Sequence, residues 1–332
     1  MVNPEFDIRR PILVGDTADV HLQRTLHILR SEGINPIVTI EFAPTRGGLF
    51  CGISEVRVLL ERILPQAGIE VWSLEEGTEV EAREVALRIK APYGAIGLYE
   101  TAISGTLSSS TGWATAAREC VDAAQGVQVF ATGARRTHPN IAGQMDYASV
   151  IGGCFSCSTT LGARLAGVTP TGSMTHSMSL IFGDTIKALQ AFDRHTPQDV
   201  PRIALVDTHR DEAEEAIAVS ETLRDRLRGV LINTAAERGG VTPELVKEVR
   251  TRLDIAGYRH VDITVMGGLN PERIRSFLDA GAPVQRFGVG TYIASAPPNC
   301  YTADVHEVDG RPMAKRGRTP GVTTSPRLNR VM

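Results

Sequence analysis

From Val127 onward the chain alternates short apolar runs with longer, helix-patterned polar stretches. The runs are Val127–Ala131, the Gly167-Val168 region, Arg202–Asp207, Gly229–Asn233, Val261–Met266 and Val284–Val289. Each ends in polar or glycine-rich residues, and helical patterns such as Asp211–Leu227 and Pro243–Gly257 lie between them. Short apolar runs bounded by turn signals read as strands buried on both faces, and strand–helix alternation implies a parallel sheet. With about six or seven such units, a barrel is favoured over an open sheet. No internal sequence repeat is evident.

The first hundred residues are patterned differently. Asp16–Asp19 can cap a helix over Val20–Ser31, with Leu22, Leu26 and Leu29 on one face and Gly33 as its stop. Pro36–Phe42 alternates like a strand, Ser54–Leu64 is a second amphipathic helix, and Ile69–Trp72 is another strand. This reads as a small α/β layer domain. Thr101–Ala124, rich in Ala, Ser and Thr, predicts helices joining it to the strand–helix region beyond.

A length of 332 residues exceeds one ordinary core and points to two domains. Hydrophobic content of 42% with 22% charged residues describes a globular, water-soluble chain. No stretch approaches the apolar run of about 20 residues that a membrane span needs. The segment Met1–Arg10 is charged and lacks an apolar core, so a cytoplasmic location is expected. Five scattered cysteines fit a reducing compartment better than a disulfide framework. A formal charge of −3 gives no general reason to expect nucleic-acid binding. After Asp309, however, every charged residue is basic: Arg311, Lys315, Arg316, Arg318, Arg327 and Arg330. That tail is either a disordered basic end or a source of positive potential for an anionic substrate.

In a parallel barrel the chemistry sits where strands end and loops begin. The residues there are Arg135 and Arg136, His176, Asp207, Asn233, Gly267-Gly268 and Gly288–Thr291, which predicts one shared mouth. The adjacent guanidiniums come after a strand-like run and offer planar forks suited to a carboxylate or phosphate; the alternative is a solvated loop. Glycines on the last two strands let backbone N–H groups approach a phosphate. A lone Gly-Gly usually marks a turn, whereas two such motifs on consecutive strands favour a phosphate site. Asp207 can hold Mg²⁺ or accept from a sugar hydroxyl. It could instead cap the next helix, but Asp211 is the better cap. Glu212, Glu214 and Glu215 read as a solvated helix face. His176, among small polar residues, can serve as acid, base or nucleophile, or as a structural hydrogen-bonder. Cys154 and Cys157 have metal or redox spacing without a second ligand pair, and read as two partly buried thiols.

These motifs, in fixed order from Asp19-Val20 and Tyr99-Glu100-Thr101 through Gly133–Gly153, Gly172–Ser177, Arg202–Glu212, Gly229–Asn233 and Phe287–Thr291 to Asp304–Gly310 and Ala314–Gly317, resemble nicotinate phosphoribosyltransferase. The likeness is to its short, archaeal-like branch, which shares the quinolinate phosphoribosyltransferase fold. It implies an irregular, incomplete-looking α/β (TIM-like) barrel over residues 110–295. It also implies an α/β sandwich domain made of 1–109 with 296–332. It further implies a homodimer or larger homo-oligomer acting on small molecules, with no nucleic-acid or membrane partner. The reaction joins nicotinate, or a related base, to 5-phosphoribosyl 1-pyrophosphate (PRPP), with Mg²⁺ and with ATP hydrolysis coupled in many members. On that likeness His176 matches the phosphorylated histidine, and Asp207 and Asn233 serve ribose hydroxyls, with Asp207 also the Mg²⁺ ligand. Arg135, Arg136, His138 and His21 bind the base or pyrophosphate. Gly267, Gly268, Gly288, Gly290 and Thr291 hold the 5′-phosphate, and Lys315 and Arg316 contact pyrophosphate. The chain departs from the pattern at His21 for Tyr, Leu231 for Arg, Asn233 for Asp and Met266 for Ser. It also lacks the Cys-rich module of many archaeal-like members, so no zinc is expected. These departures keep two alternatives open: transfer to another carboxylated or heteroaromatic base, and a non-catalytic phosphoribosyl- or nucleotide-binding relative.

Overall fold

The computed structural model describes residues 5–332, so the first four residues of the Met1–Arg10 segment lie outside the described part. The chain forms two compact units. One comprises the described residues up to Ala116 with Arg164–Gly167 and Ala296–Met332; the other comprises Ala117–Ala163 and Val168–Ser295.

The first unit is built on a six-stranded antiparallel sheet. Its strands run in the order Arg311–Pro312, Tyr301–Val308, Ile37–Pro44, Leu87–Pro92, Glu70–Ser73 and Asn329–Arg330. Alternation along these strands sends Ile40, Phe42, Leu87, Ile89 and Val71 into one apolar cluster with Val56, Leu59 and Leu60 of the helix Ile53–Ile63. Burying each such side chain contributes roughly 1.5–3 kcal/mol. The other side of the central strand carries Thr39 and Glu41, which are polar yet buried. The C-terminal segment covers them: the Thr323 N–H donates to Glu41 at 3.1 Å, and Glu41 also pairs with Arg88 at 2.7 Å. The basic tail is therefore an ordered part of the fold. Lys315 and Arg318 pair with Asp304, Arg327 pairs with Glu84, and Asn329–Arg330 adds an edge strand.

The helix Val20–Ser31 forms as its apolar spacing predicts, with Leu22 and Leu26 buried. Its expected cap differs. The Asp19 carboxylate makes no helix-cap bond and instead accepts from the Thr101 hydroxyl at 2.8 Å. The Ala-, Ser- and Thr-rich stretch is one long helix, Glu100–Ala123, rather than several.

The second unit holds six strands, all parallel to their neighbours. Their order is Ser156–Cys157, Gln128–Ala131, Arg286–Val289, Asp262–Val265, Leu227–Ile232 and Arg202–Leu205. Traced in the reverse direction, that order runs along the chain from Arg202 to Arg286 and then returns to Gln128. This is the order of a (β/α) barrel, but among the described residues nothing pairs Ser156–Cys157 with Arg202–Leu205. The result is an open, half-barrel sheet.

Two expected elements change. No strand forms at Gly167-Val168; the parallel edge is Ser156–Cys157. Pro170 lacks the N–H a ladder needs, and only the Thr171 N–H reaches Cys157 O, at 2.9 Å. The helix expected over Asp211–Leu227 spans Glu212–Leu223, because Leu227 is already the first buried residue of the next strand. Side chains of Asp211, Thr242 and Asn270 cap their helices by accepting from the N–H groups of Ala213, Leu245 and Arg273. No helix among the described residues is long and apolar enough to cross a membrane.

Candidate active site

A cavity of about 610 Å³ opens within the second unit where the parallel strands end. Thr132 and Arg135 come after the strand Gln128–Ala131, Thr159 after Ser156–Cys157, Asn233 after Leu227–Ile232, and Met266 after Asp262–Val265; all of them line it. His176 enters from the segment that precedes the helix His176–Phe182, whose cap is Thr175. Three residues from separate turns, Arg135, His176 and Asn233, thus share one cavity. Arg135 is exposed, and its guanidinium makes no ion pair with the described residues.

Asp207 stands directly behind His176. Its side chain is 2% exposed, and its Oδ1 lies 3.6 Å from His176 Nδ1. Its Oδ2 accepts from the Asn233 N–H at 2.8 Å, while Oδ1 has no hydrogen-bond partner. Burial raises the Asp207 pKa above the usual carboxylate value. His176 and the Asn233 N–H oppose that rise, and the charges of Glu212 and Glu215 add to it. The Thr208 hydroxyl also meets His176 Nδ1, at 3.2 Å. An acceptor-only carboxylate beside Nδ1 favours the tautomer protonated there, which leaves the Nε2 lone pair free.

The glycines divide into two kinds. Gly267 adopts φ +101°, and a Cβ there would lie 3.0 Å from Asn233 Oδ1. Arg273 donates to the carbonyls of Gly267 (3.0 Å) and Gly268 (3.4 Å), while neither glycine's N–H has a protein acceptor among the described residues. Gly288, by contrast, lies inside the strand Arg286–Val289 rather than in a loop. A Cβ there would be 2.6 Å from Met266 Cγ and 2.8 Å from Phe130 Cζ, so packing alone accounts for this glycine. Gly290 precedes the short helix that starts at Thr291.

Other expected residues fall elsewhere. Arg136 is exposed and outside the cavity lining, and His138 uses Nδ1 to accept from the Asn140 N–H, capping a turn. His21, Lys315 and Arg316 belong to the first unit. There His21 lies on an exposed helix face, Lys315 pairs with Asp304 at 2.6 Å, and Arg316 is exposed with no ion pair among the described residues. Glu212 and Glu215 are not a solvated face: they are 1% and 2% exposed, and only Glu214 faces water. Cys154 and Cys157 are fully buried. Burial pushes the Cys157 thiol up to about 12 and Cys154 higher still, so neither is a ready nucleophile. Sequence reasoning missed Asp146, whose buried carboxylate accepts from the Thr159 N–H at 2.8 Å and so fixes a cavity-lining loop. Its only signal was being the one charged residue of the helix Ala142–Ile151.

A half-barrel whose strand ends enclose a largely apolar cavity with a few convergent polar side chains has the form of a small-molecule site of the α/β barrel kind. Similarity to known proteins narrows the class. The sequence pattern of the quinolinate phosphoribosyl transferase C-terminal domain matches residues 113–299, and that of the N-terminal domain matches 19–111. A crystal structure of nicotinate-nucleotide pyrophosphorylase from Pyrococcus furiosus is 39% identical, with a TM-score of 0.87 over 97% of this chain and 82% of that one. The chain belongs to the quinolinate phosphoribosyl transferase family. Nicotinate phosphoribosyltransferase pncB2 of Mycobacterium tuberculosis (strain H37Rv) is 33% identical over 230 residues, covering 68% of this chain and 48% of that protein. The chain spans about half the length of the curated relatives it matches. Human nicotinic acid phosphoribosyltransferase shares the fold, with a TM-score of 0.71 at 17% identity.

Proposed function

We propose that this protein is a phosphoribosyltransferase that joins nicotinate to PRPP, giving nicotinate mononucleotide and pyrophosphate. The observation that carries this reading is the convergence of Arg135, His176 and Asn233 on one cavity, with Asp207 behind His176 and with Gly267, whose amide has no acceptor among the described residues, beside Asn233. The new bond joins the pyridine nitrogen to ribose C1 as the C1–oxygen bond breaks, and the electron pair leaves on pyrophosphate. The sugar carbon becomes cation-like, so catalysis rests on holding anions in place and keeping the reactants aligned. Arg135 pairs with the base carboxylate, Asn233 takes a ribose hydroxyl with Asp207 bracing its N–H from behind, and the Gly267, Gly268, Gly290 and Thr291 amides take the 5′-phosphate. Lys315 is already committed to Asp304 in the first unit.

Mg²⁺ fits this site only as a cation held mostly by substrate. Asp207 Oδ1 is orphaned but buried, so it would be at most one ligand, and among the described residues no group of three acids, cysteines or histidines is placed to hold a metal. When bound, it would supply positive charge to the leaving pyrophosphate. ATP coupling would run through the free Nε2 of His176.

Leu231 and Met266, lining the cavity where the family pattern has Arg and Ser, favour a second reading in which the accepted base is less polar than nicotinate. Both are tested by incubating the protein with PRPP, Mg²⁺, ATP and a panel of heteroaromatic bases and reading products by mass spectrometry. A nicotinate nucleotide supports the first reading, a nucleotide of another base alone supports the second, and no pyrophosphate release with any base overturns both.

A further inference from the structure

Helix Glu212–Leu223 carries three acids in its first turn, where the helix dipole favours negative charge. Two of them are buried, and an ionised carboxylate is costly to bury unless its lone pairs are used. Their partners lie around His176. Glu215 Oε2 accepts from the Thr208 N–H at 3.1 Å, and the hydroxyl of that same threonine meets His176 Nδ1 at 3.2 Å. Glu212 Oε1 accepts from the Thr234 hydroxyl at 2.8 Å, next to Asn233, whose N–H holds Asp207. The two carboxylates therefore clamp the Asp207-Thr208 turn, whose side chains meet one imidazole nitrogen, and the Asn233-Thr234 turn that braces Asp207.

We propose that Glu215 is a positioning residue for His176: by gripping the Thr208 N–H it fixes the threonine hydroxyl and Asp207 against Nδ1, and so keeps the Nε2 lone pair turned free. Glu212 steadies the Asn233 turn from the same helix. The consequence for catalysis rests on the transferase reading, but the arrangement of the ring does not.

The test is histidine ¹⁵N NMR of the full chain at about pH 8, where an ordinary imidazole is neutral, with the His176 signals assigned by their loss in His176→Ala. Wild type should show one tautomer, protonated at Nδ1. Glu215→Ala should move both nitrogens toward averaged positions, and Glu215→Asp should do the same because its oxygen is drawn back by one methylene. Glu215→Gln retains an acceptor oxygen and should keep the wild-type pattern, as should Glu214→Ala on the exposed face. In the transfer assay the Ala and Asp variants should lose turnover by on the order of tenfold to a hundredfold, and Gln should restore most of it. If Glu215→Ala does not fold, the Gln and Asp pair decides alone. A His176 pattern unchanged in Glu215→Asp, or lost equally in Glu215→Gln, overturns the proposal. Absence of transfer in wild type with the NMR pattern as expected overturns the function reading and leaves the clamp standing.

Discussion

Replacing Asp207 with asparagine separates the cost of holding this carboxylate from its use. The side chain is 2% exposed, and Oδ1 has no donor, so the charge is poorly compensated where it sits. Burial is the main reason its pKa lies above the ordinary carboxylate value. A carboxyl raised in the folded state favours the fold while protonated. That contribution is complete below the unfolded pKa, near 4, and is lost as pH rises through the folded value. As pH rises through the folded value the wild type gains a buried charge that only the Asn233 N–H and His176 offset. Asparagine removes the charge and keeps an oxygen for the Asn233 N–H, now 2.8 Å away. Asp207→Asn should be more stable than wild type by about 1 kcal/mol at pH about 8, or roughly 2–4 °C in Tm for a domain of 150–250 residues. The gap should narrow at pH about 4, because a raised folded value makes the carboxyl take up its proton earlier in the fold than in the unfolded chain. Phosphoribosyl transfer should fall at least about a hundredfold. Scanning fluorimetry at the two pH values, paired with the transfer assay, reads both effects. A variant that melts below wild type at pH 8, or an offset that is the same at both pH values, refutes the reasoning.

Three further substitutions address individual roles. Arg135→Ala should raise KM for a carboxylated base by about 10–100-fold, the loss of one hydrogen bond to a charged group; Arg136→Ala, outside the cavity, should stay within about twofold. Equal effects in steady-state kinetics would reassign the pair. Asn233→Asp places an ionised group beside the cavity and should lower the half-saturating Mg²⁺ concentration by about threefold or more; an unchanged Mg²⁺ titration removes this position from metal or ribose contact. His176→Ala should abolish ATP stimulation while basal transfer stays detectable, and an equal ATP response in both proteins ends the phosphohistidine role.

Where the sequence was legible, the reason is local. The helix over Val20–Ser31 was visible because Leu22 and Leu26 recur at helical spacing, and the strands Asp262–Val265 and Arg286–Val289 because apolar runs there stop abruptly at glycine. The cavity residues Arg135, His176 and Asn233 were visible because each breaks an apolar pattern at a strand end or in a loop. The misreadings come from contacts distant in sequence. Glu212 and Glu215 look like a solvated face until Thr234 and Thr208 arrive from other turns to satisfy them. Gly288 resembles a phosphate-facing glycine until Met266 and Phe130 are seen to fill the space of its missing side chain. The basic tail reads from composition as either a disordered end or a source of positive potential, yet Asp304, Glu84 and the strand Glu70–Ser73 each take one of its parts.

The misassigned strand at Gly167-Val168 bears most directly on the site. In a closed barrel, layers of side chains from every strand fill the interior. Here the position between Ser156–Cys157 and Arg202–Leu205 is given to a segment that Pro170 prevents from pairing as a strand. Thr171, Ser173, Thr175 and His176 of that segment line the cavity alongside Ile203, Leu205 and Leu231 from the strands. Opening the ring therefore removes packing that a full set of strands would supply and leaves volume in its place. It also delivers His176 on a short capped helix, with Nδ1 hydrogen-bonded to Thr208 and 3.6 Å from Asp207 Oδ1 at the neighbouring strand end. The irregularity that a strand pattern could not foresee is the feature that brings the imidazole to the cavity.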